Sequence, residues 1–196
     1  ILVTRLGSIA NEFISLNQFG FVPRRNIQNC LYTESECVNV MRKKVKYDNM
    51  ALKVDILKVF DTMKCIFIFL VLRMHGFSNG FINLISCILQ SPMLSVLVNG
   101  SPRGFFKCSR GVRQGDPLFG LLVFIAEDYL STYLSDLVHA GLYQKMTIGR
   151  GLFSPSHLFY ADDILLFGKA DGITIRYIMV DFEHYEFVSG QVISWE

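Results

Sequence analysis

The chain has 196 residues, 51% of them hydrophobic and 18% charged, with 19 Lys+Arg against 17 Asp+Glu for a formal net charge of +2. That length fits one domain or a piece of a larger one, and the apolar content excludes intrinsic disorder, which needs low hydrophobicity and high net charge. A coiled coil and an acidic or basic tail protein are excluded too, and so weak a positive balance is poor support for nucleic-acid binding, which wants a concentrated basic face.

In chain order, Asn26 can cap a helix running to about Lys46, with Ile27, Leu31, Val38, Met41 and Val45 at helical spacing. Ala51–Ile56 reads as a strand, followed by a helix ending near Gly76, a suitable C′ glycine. Asn79 then caps a short helix carrying Ile82, Ile85 and Leu89. Leu94–Val98 and Phe105–Cys108 read as a hairpin around N-G-S-P-R-G. Asp116 and Pro117 open the strongest helix, whose apolar positions keep a 3–4 spacing from Leu118 to Val138. Leu158–Tyr160 and Ile164–Phe167 form a second hairpin, and a last helix covers 173–187. The class is mixed α/β in one continuous domain.

The longest apolar runs, Cys65–Leu72 and Leu118–Ala126, fall short of the ~18–20 residues that span a bilayer. The first ten residues show no basic region ahead of an apolar stretch. The expectation is a nuclear or cytoplasmic protein with no membrane partner, and the missing initiator Met reads as a fragment. Cys30, Cys37, Cys65, Cys87 and Cys108 are scattered without a C-x-x-C pair and read as reduced structural thiols. The four histidines show no metal spacing.

The most informative stretch is H-L-F-Y-A-D-D-I-L-L-F-G, residues 157–168. Two adjacent aspartates, Asp162 and Asp163, sit at the turn between two apolar strands, where repulsion and lost hydration cost several kcal/mol unless compensated. A divalent cation would compensate; a plain polar turn is the alternative. Asp55 stands at the end of an apolar strand leading into a helix, where α/β sheets place site residues, or else it caps that helix. Together the three carboxylates could hold two Mg²⁺ ions, which prefer a few carboxylates plus substrate phosphate oxygens. Two such metals suit in-line phosphoryl displacement, so the chemistry suggested is nucleotidyl transfer.

The chain resembles the reverse transcriptase domain of non-LTR (LINE-type) retrotransposons, most like the plant elements. The resemblance runs almost end to end, through N-Q-F-G-F-V-P-R-R-N-I-Q (17–28), V-D-I-L-K-V-F-D (54–61), V-N-G-S-P-R-G-F-F (98–106), S-R-G-V-R-Q-G-D-P-L (109–118), F-Y-A-D-D (159–163) and V-S-G-Q-V-I (188–193). It implies an α/β (α+β) polymerase palm with a ferredoxin- or RRM-like antiparallel sheet over about 51–196, and part of the fingers over about 1–50. Thumb, endonuclease and RNase H regions would lie outside the chain.

By position, the resemblance makes Asp55, Asp162 and Asp163 the catalytic, metal-binding aspartates, with Mg²⁺ as cofactor and Mn²⁺ a possible substitute. Phe60 falls at the steric gate that selects dNTPs, and Gln114 and Gly115 lie against the incoming nucleotide and templating base. Arg110 and Arg113 flank them as phosphate contacts or solvated loop charges. Tyr160 sets the hairpin beside the primer end, or packs in the core. The partners implied are an RNA or DNA template with its primer, and dNTP. The cluster R-K-K-V-K (42–46), with Arg24 and Arg25, offers phosphate contacts along the template, or complements a helix dipole. Phe105 and Phe106 are expected to pack within their hairpin rather than stack on bases.

The chain departs from the family pattern where Asp61 leads into T-M-K-C-I-F-I-F-L-V-L, where L-F-G-L-L follows Pro117, and where Arg24 replaces the usual Gly. With the flanking regions missing, the fragment is expected to show little or no polymerase activity, since phosphoryl transfer depends on positioning. Rival readings are a maturase-type or telomerase-like polymerase, and a non-catalytic remnant that at most binds nucleic acid.

Overall fold

The computed structural model describes residues 1–20, 22–41, 48–108, 110–146 and 154–195. Its centre is a four-stranded antiparallel sheet in the order β4-β5-β1-β6, from β1 (Asn49–Leu57), β4 (His157–Tyr160), β5 (Asp163–Lys169) and β6 (Val192–Trp195). Met50, Val54 and Ile56 of β1 are buried on one face, whereas Ala51, Lys53 and Asp55 alternate onto the other. The buried face packs into a core shared with α1 (Leu2–Phe13), α4 (Cys65–Met74), α6 (Pro117–His139) and α7 (Gly172–Ser189).

Helix α6 begins as its sequence dictates: the Asp116 carboxylate accepts from Leu118 N at 2.9 Å, and Pro117 occupies the first turn. At 23 residues it is long and apolar enough to cross a membrane, contrary to the expectation that no segment would be. Its most apolar window is 72% buried, so burial inside the fold accounts for its composition.

Several boundaries differ from expectation. Helix α2 (Ile27–Met41) is capped by Asn26, whose side chain accepts from Gln28 N at 2.9 Å; its expected extension and the 42–46 cluster lie outside the described residues. The helix expected after β1 is broken into α3 (Val59–Thr62) and α4, because tertiary partners take the backbone between them. Lys64 N donates to Ser189 O at 2.8 Å, while Met63 O accepts from Gly111 N at 2.9 Å. Ser78, not Asn79, caps α5 (Asn79–Gln90), accepting from Phe81 N at 3.3 Å. Gly76 ends α4 with φ 81°, as the glycine signal predicts.

The hairpin of β2 (Met93–Val98) and β3 (Ser101–Lys107) turns on Asn99–Gly100 alone, both at positive φ (49° and 76°), the signature of a tight two-residue turn. Pro102 and Arg103 belong to the strand, not the loop. Helix α1 and strand β6 have no counterpart among the expected elements. All five cysteines are free, and burial pushes the thiols of Cys30 and Cys37 up to about 11.

Candidate active site

Register places the carboxylates. Asp55 on β1 lies directly opposite Asp163 on β5, so both side chains emerge on the sheet face opposite the main core, the face where Leu158, Leu165 and Phe167 pack with Cys30 and Cys37 of α2. Asp162 sits in the turn of the β4–β5 hairpin, and its carbonyl accepts from Ile56 N at 3.1 Å, tying the turn to the residue after Asp55. Ala161 makes the turn with φ 54°, a left-handed conformation uncommon for a residue with a Cβ.

Asp162 lines a cleft of about 260 Å³ with Lys58, Phe60, Asp61, Gln114 and Phe124 among its walls. Phe60 and Gln114 also border a neighbouring cleft of about 570 Å³, which Gly115 helps to line. Thus Asp162, Phe60, Gln114 and Gly115 come from three distant segments to two clefts that share Phe60 and Gln114. Asp163 opens elsewhere, into a 160 Å³ cleft between the sheet and α2, lined by Tyr160 and Lys53 with Ile27, Leu31 and Glu34, and Lys53 Nζ lies 3.3 Å from its carboxylate.

A strap over residues 14–20 supports the β4–β5 turn. Phe19 N donates to Phe159 O at 2.9 Å and Phe159 N to Asn17 O at 2.8 Å, so the strap pairs along β4. Gly20 then lies so close to the turn that a Cβ there would sit 2.5 Å from Ala161 N and 3.2 Å from Ala161 Cα. Here glycine is required by close approach rather than by turn geometry. Arg25 departs from the phosphate contact expected of it. Its guanidinium donates to the carbonyls of Ser15, of Gln18 at 2.6 Å and of Ile14 at 2.8 Å, holding the strap. Arg24 is exposed with φ 69°.

A buried polar network anchors the same strap. Ser15 N donates to Asp128 Oδ1 at 2.7 Å, and Asn17 Nδ2 and Ser131 Oγ approach His157 Nε2 at 3.0 and 2.8 Å. Asn17 can only donate to that nitrogen, so Nε2 is the acceptor, and Nδ1 carries the proton toward Ser156 Oγ. Burial holds the His157 imidazole neutral, lowering its pKa to about 3, with Lys145 a lesser cause.

Sequence reasoning missed three polar groups at the site. Lys53 stands two residues before Asp55, which on a strand puts it on the same face. Lys58 borders the cleft from a left-handed position (φ 50°) opening α3. Glu127 is fully buried on α6 with both carboxyl oxygens lacking a hydrogen-bond partner. Burial, and then the charge of Asp162, push its carboxyl well above the usual range and favour the neutral acid. The adjacent acids Glu127 and Asp128, following the apolar run 118–126, were the available signal.

Arg110 and Arg113 are exposed and line a 210 Å³ cleft with Asp61 and Leu94, at the root of the β2–β3 hairpin. Val112 N donates to Phe60 O at 2.6 Å, binding that root to the wall of the Asp162 cleft. Phe105 and Phe106 are 66% and 48% exposed, which overturns the expectation that they pack within their hairpin.

A match to the reverse transcriptase (RNA-dependent DNA polymerase) family extends over residues 1–184. The chain belongs to this family. This reverse transcriptase domain is 28% identical over 171 residues to the Pol polyprotein of the type-2 retrotransposable element R2DM of Drosophila melanogaster, covering 86% of the chain and 15% of that protein. It is 28% identical over 192 residues to an uncharacterized 149 kDa protein of transposon TX1 of Xenopus laevis, covering 97% of the chain and 14% of that protein. The domain therefore spans roughly a seventh of the length of these relatives. Its fold superposes on telomerase from Candida albicans with a TM-score of 0.67 at 12% identity, over 98% of the chain and 33% of the telomerase. Reverse transcriptases generally use divalent metals, and the hard carboxylate oxygens of Asp55 and Asp162 suit Mg²⁺. Among the described residues, no group of three or more His, Cys, Asp or Glu forms a ready-made cage.

Proposed function

We propose that the domain catalyses RNA-directed DNA synthesis in a LINE-type element, joining a dNTP to a primer 3′-hydroxyl on an RNA or DNA template with release of pyrophosphate. The observation that carries this reading is the convergence of Asp162, Phe60 and Gln114 on one cleft, with Asp162 tied through Ile56 N to the strand bearing Asp55. Asp55 and Asp162 would hold two divalent ions, which when bound activate the hydroxyl and neutralise charge on the leaving group. Phe60, half-buried at the wall, occupies the space a ribose 2′-hydroxyl would need. Gln114 and Gly115 border the incoming nucleotide, and Lys58 brings a cation to the same cleft for its phosphates. Asp163, paired with Lys53, supports the metal site from the α2 side of the sheet rather than from the nucleotide cleft. Burial, and then the charge of Asp162, push the Glu127 carboxyl up and favour its neutral acid, which limits the negative charge it adds.

Primer extension on an RNA template with Mg²⁺ or Mn²⁺ tests the reading. Weak extension that disappears in Asp162→Asn supports it, and equal extension by both forms sinks the carboxylate assignment. Undetectable extension together with salt-dependent RNA binding leaves the non-catalytic remnant standing instead. Phe60→Val should admit ribonucleotides if Phe60 is the gate.

A further inference from the structure

The chain's sparse charge is unevenly distributed. From Thr62 to Gly115 there is no Asp or Glu, while Lys64, Arg73, Arg103, Lys107, Arg110 and Arg113 are all cationic. The remainder of the chain holds thirteen Lys/Arg against seventeen Asp/Glu, so the positive balance resides wholly in this segment. The β2–β3 hairpin lies within it, and all six residues of β2 and all seven of β3 are exposed. An isolated two-stranded ribbon gains little from its own packing, and a contiguous apolar surface left open marks an interaction site.

The two faces of the ribbon are similarly equipped. Register shifts between Leu94 and Val96, where Gly104 takes φ 62°. As a result Phe106 and Arg103 share one face with Leu94 and Val96, whereas Phe105 and Lys107 share the other. Each face thus offers one aromatic ring beside one long cation. The ribbon is fixed to the cleft by Gly111 N on Met63 O and Val112 N on Phe60 O, and Arg110 and Arg113 lie at that root. Cations thus occur both on the ribbon and at its root, where Arg110 and Arg113 share a cleft with Asp61, which also borders the cleft of Asp162.

We propose that the β2–β3 hairpin is a docking platform for a single-stranded nucleic acid, whose bases stack on Phe105 and Phe106 and whose phosphates meet Arg103, Lys107 and Arg110. Aromatic rings interleaved with cations, with no carboxylate on either strand and Asp61 only at the root, suit a polyanion with flat apolar bases better than a protein surface of mixed charge. The proposal rests on the polymerase reading for the class of polymer, but its contacts lie outside the nucleotide cleft.

The test is fluorescence anisotropy of a labelled 20-nucleotide single-stranded RNA, and of the same sequence as DNA, titrated with the whole chain at several salt concentrations. Phe105→Ala with Phe106→Ala should weaken binding by roughly tenfold or more without changing its salt slope. Arg103→Gln with Lys107→Gln should weaken binding and reduce the log–log salt slope by about 1.4, two phosphates at ~0.7 each. Phe105→Trp supplies a reporter on the ribbon itself, and its fluorescence should be quenched as RNA binds. Wild-type affinity and slope in both double variants, or an unquenched Trp at saturation, overturns the proposal. Loss of self-association in the Phe variants with RNA binding intact also overturns it, assigning the ribbon to protein contact. Mn²⁺ binding to the same variants, compared with Asp162→Asn, reads the polymerase site separately, so either idea can fail alone.

Discussion

Gly20→Ala probes the link between the strap and the turn that carries Asp162. The new Cβ would lie 2.5 Å from Ala161 N, about 1 Å inside a comfortable contact distance of ~3.5 Å, so strap or turn must give way. Neither is free to do so, since Phe19 and Phe159 are hydrogen-bonded across the strap and Ile56 N holds the carbonyl of Asp162. Overpacking of this kind costs about 1–3 kcal/mol in stability. A ~1 Å displacement passed to Asp162 would lower any turnover on the order of 10²-fold. Urea unfolding and Mn²⁺ binding followed by electron paramagnetic resonance read the two effects separately. The expected result is a lowered unfolding midpoint together with weakened Mn²⁺ binding. Gly80→Ala is the control, with only Ser78 Oγ near its added Cβ at 3.9 Å. If Gly20→Ala matches wild type in both measurements, or loses stability while Mn²⁺ affinity is unchanged, the strap does not set the position of Asp162.

Arg24→Gly should raise stability by about 0.5–1 kcal/mol in urea unfolding, since a left-handed backbone at φ 69° strains any residue bearing a Cβ. Arg25→Gln should cost about 2–3 kcal/mol through lost charged hydrogen bonds to the strap carbonyls, with the salt slope of RNA binding unmoved. Burial, and then the charge of Asp136, raise the Asp181 carboxyl to about 7, against 3.8 for an ordinary aspartate. Between those values the folded state binds more protons than the unfolded one, so this group's contribution to stability falls as pH rises from about 4 to 7 and is flat above. Asp181→Asn should remove that slope and stabilise the protein most at pH 8, as thermal unfolding across pH would show.

Much of the site was readable because it depends on local rules. Alternation placed Asp55 at the end of a strand, two apolar runs flanking A-D-D gave the hairpin, and Asp116–Pro117 gave the start of α6. What escaped depends on contacts between distant segments. The break at Met63–Lys64 has no proline or glycine to announce it, because the disrupting partners are the backbones of Gly111 and Ser189. Arg25 looks like any surface cation until three carbonyls of a loop ten residues earlier close around it. Phe105 and Phe106 read as packing residues because a strand pattern cannot tell whether a second layer covers it. Strand β6 is only four residues long, too short for periodicity to register.

The strand order has a kinetic consequence. Strand β1, which bears Asp55, pairs only with β5 and β6, both made much later, and Asp55 must wait 108 residues for Asp163. At ordinary synthesis rates that delay is roughly 5–20 s, during which β1 exposes two unsatisfied edges. The sheet cannot nucleate from its N-terminal half, and such non-local pairing folds slowly. A chain released before residue 163 would carry the first aspartate on a strand with no neighbours. Its expected fate is aggregation or proteolysis, so yield on expression should fall sharply for truncations on the N-terminal side of β5.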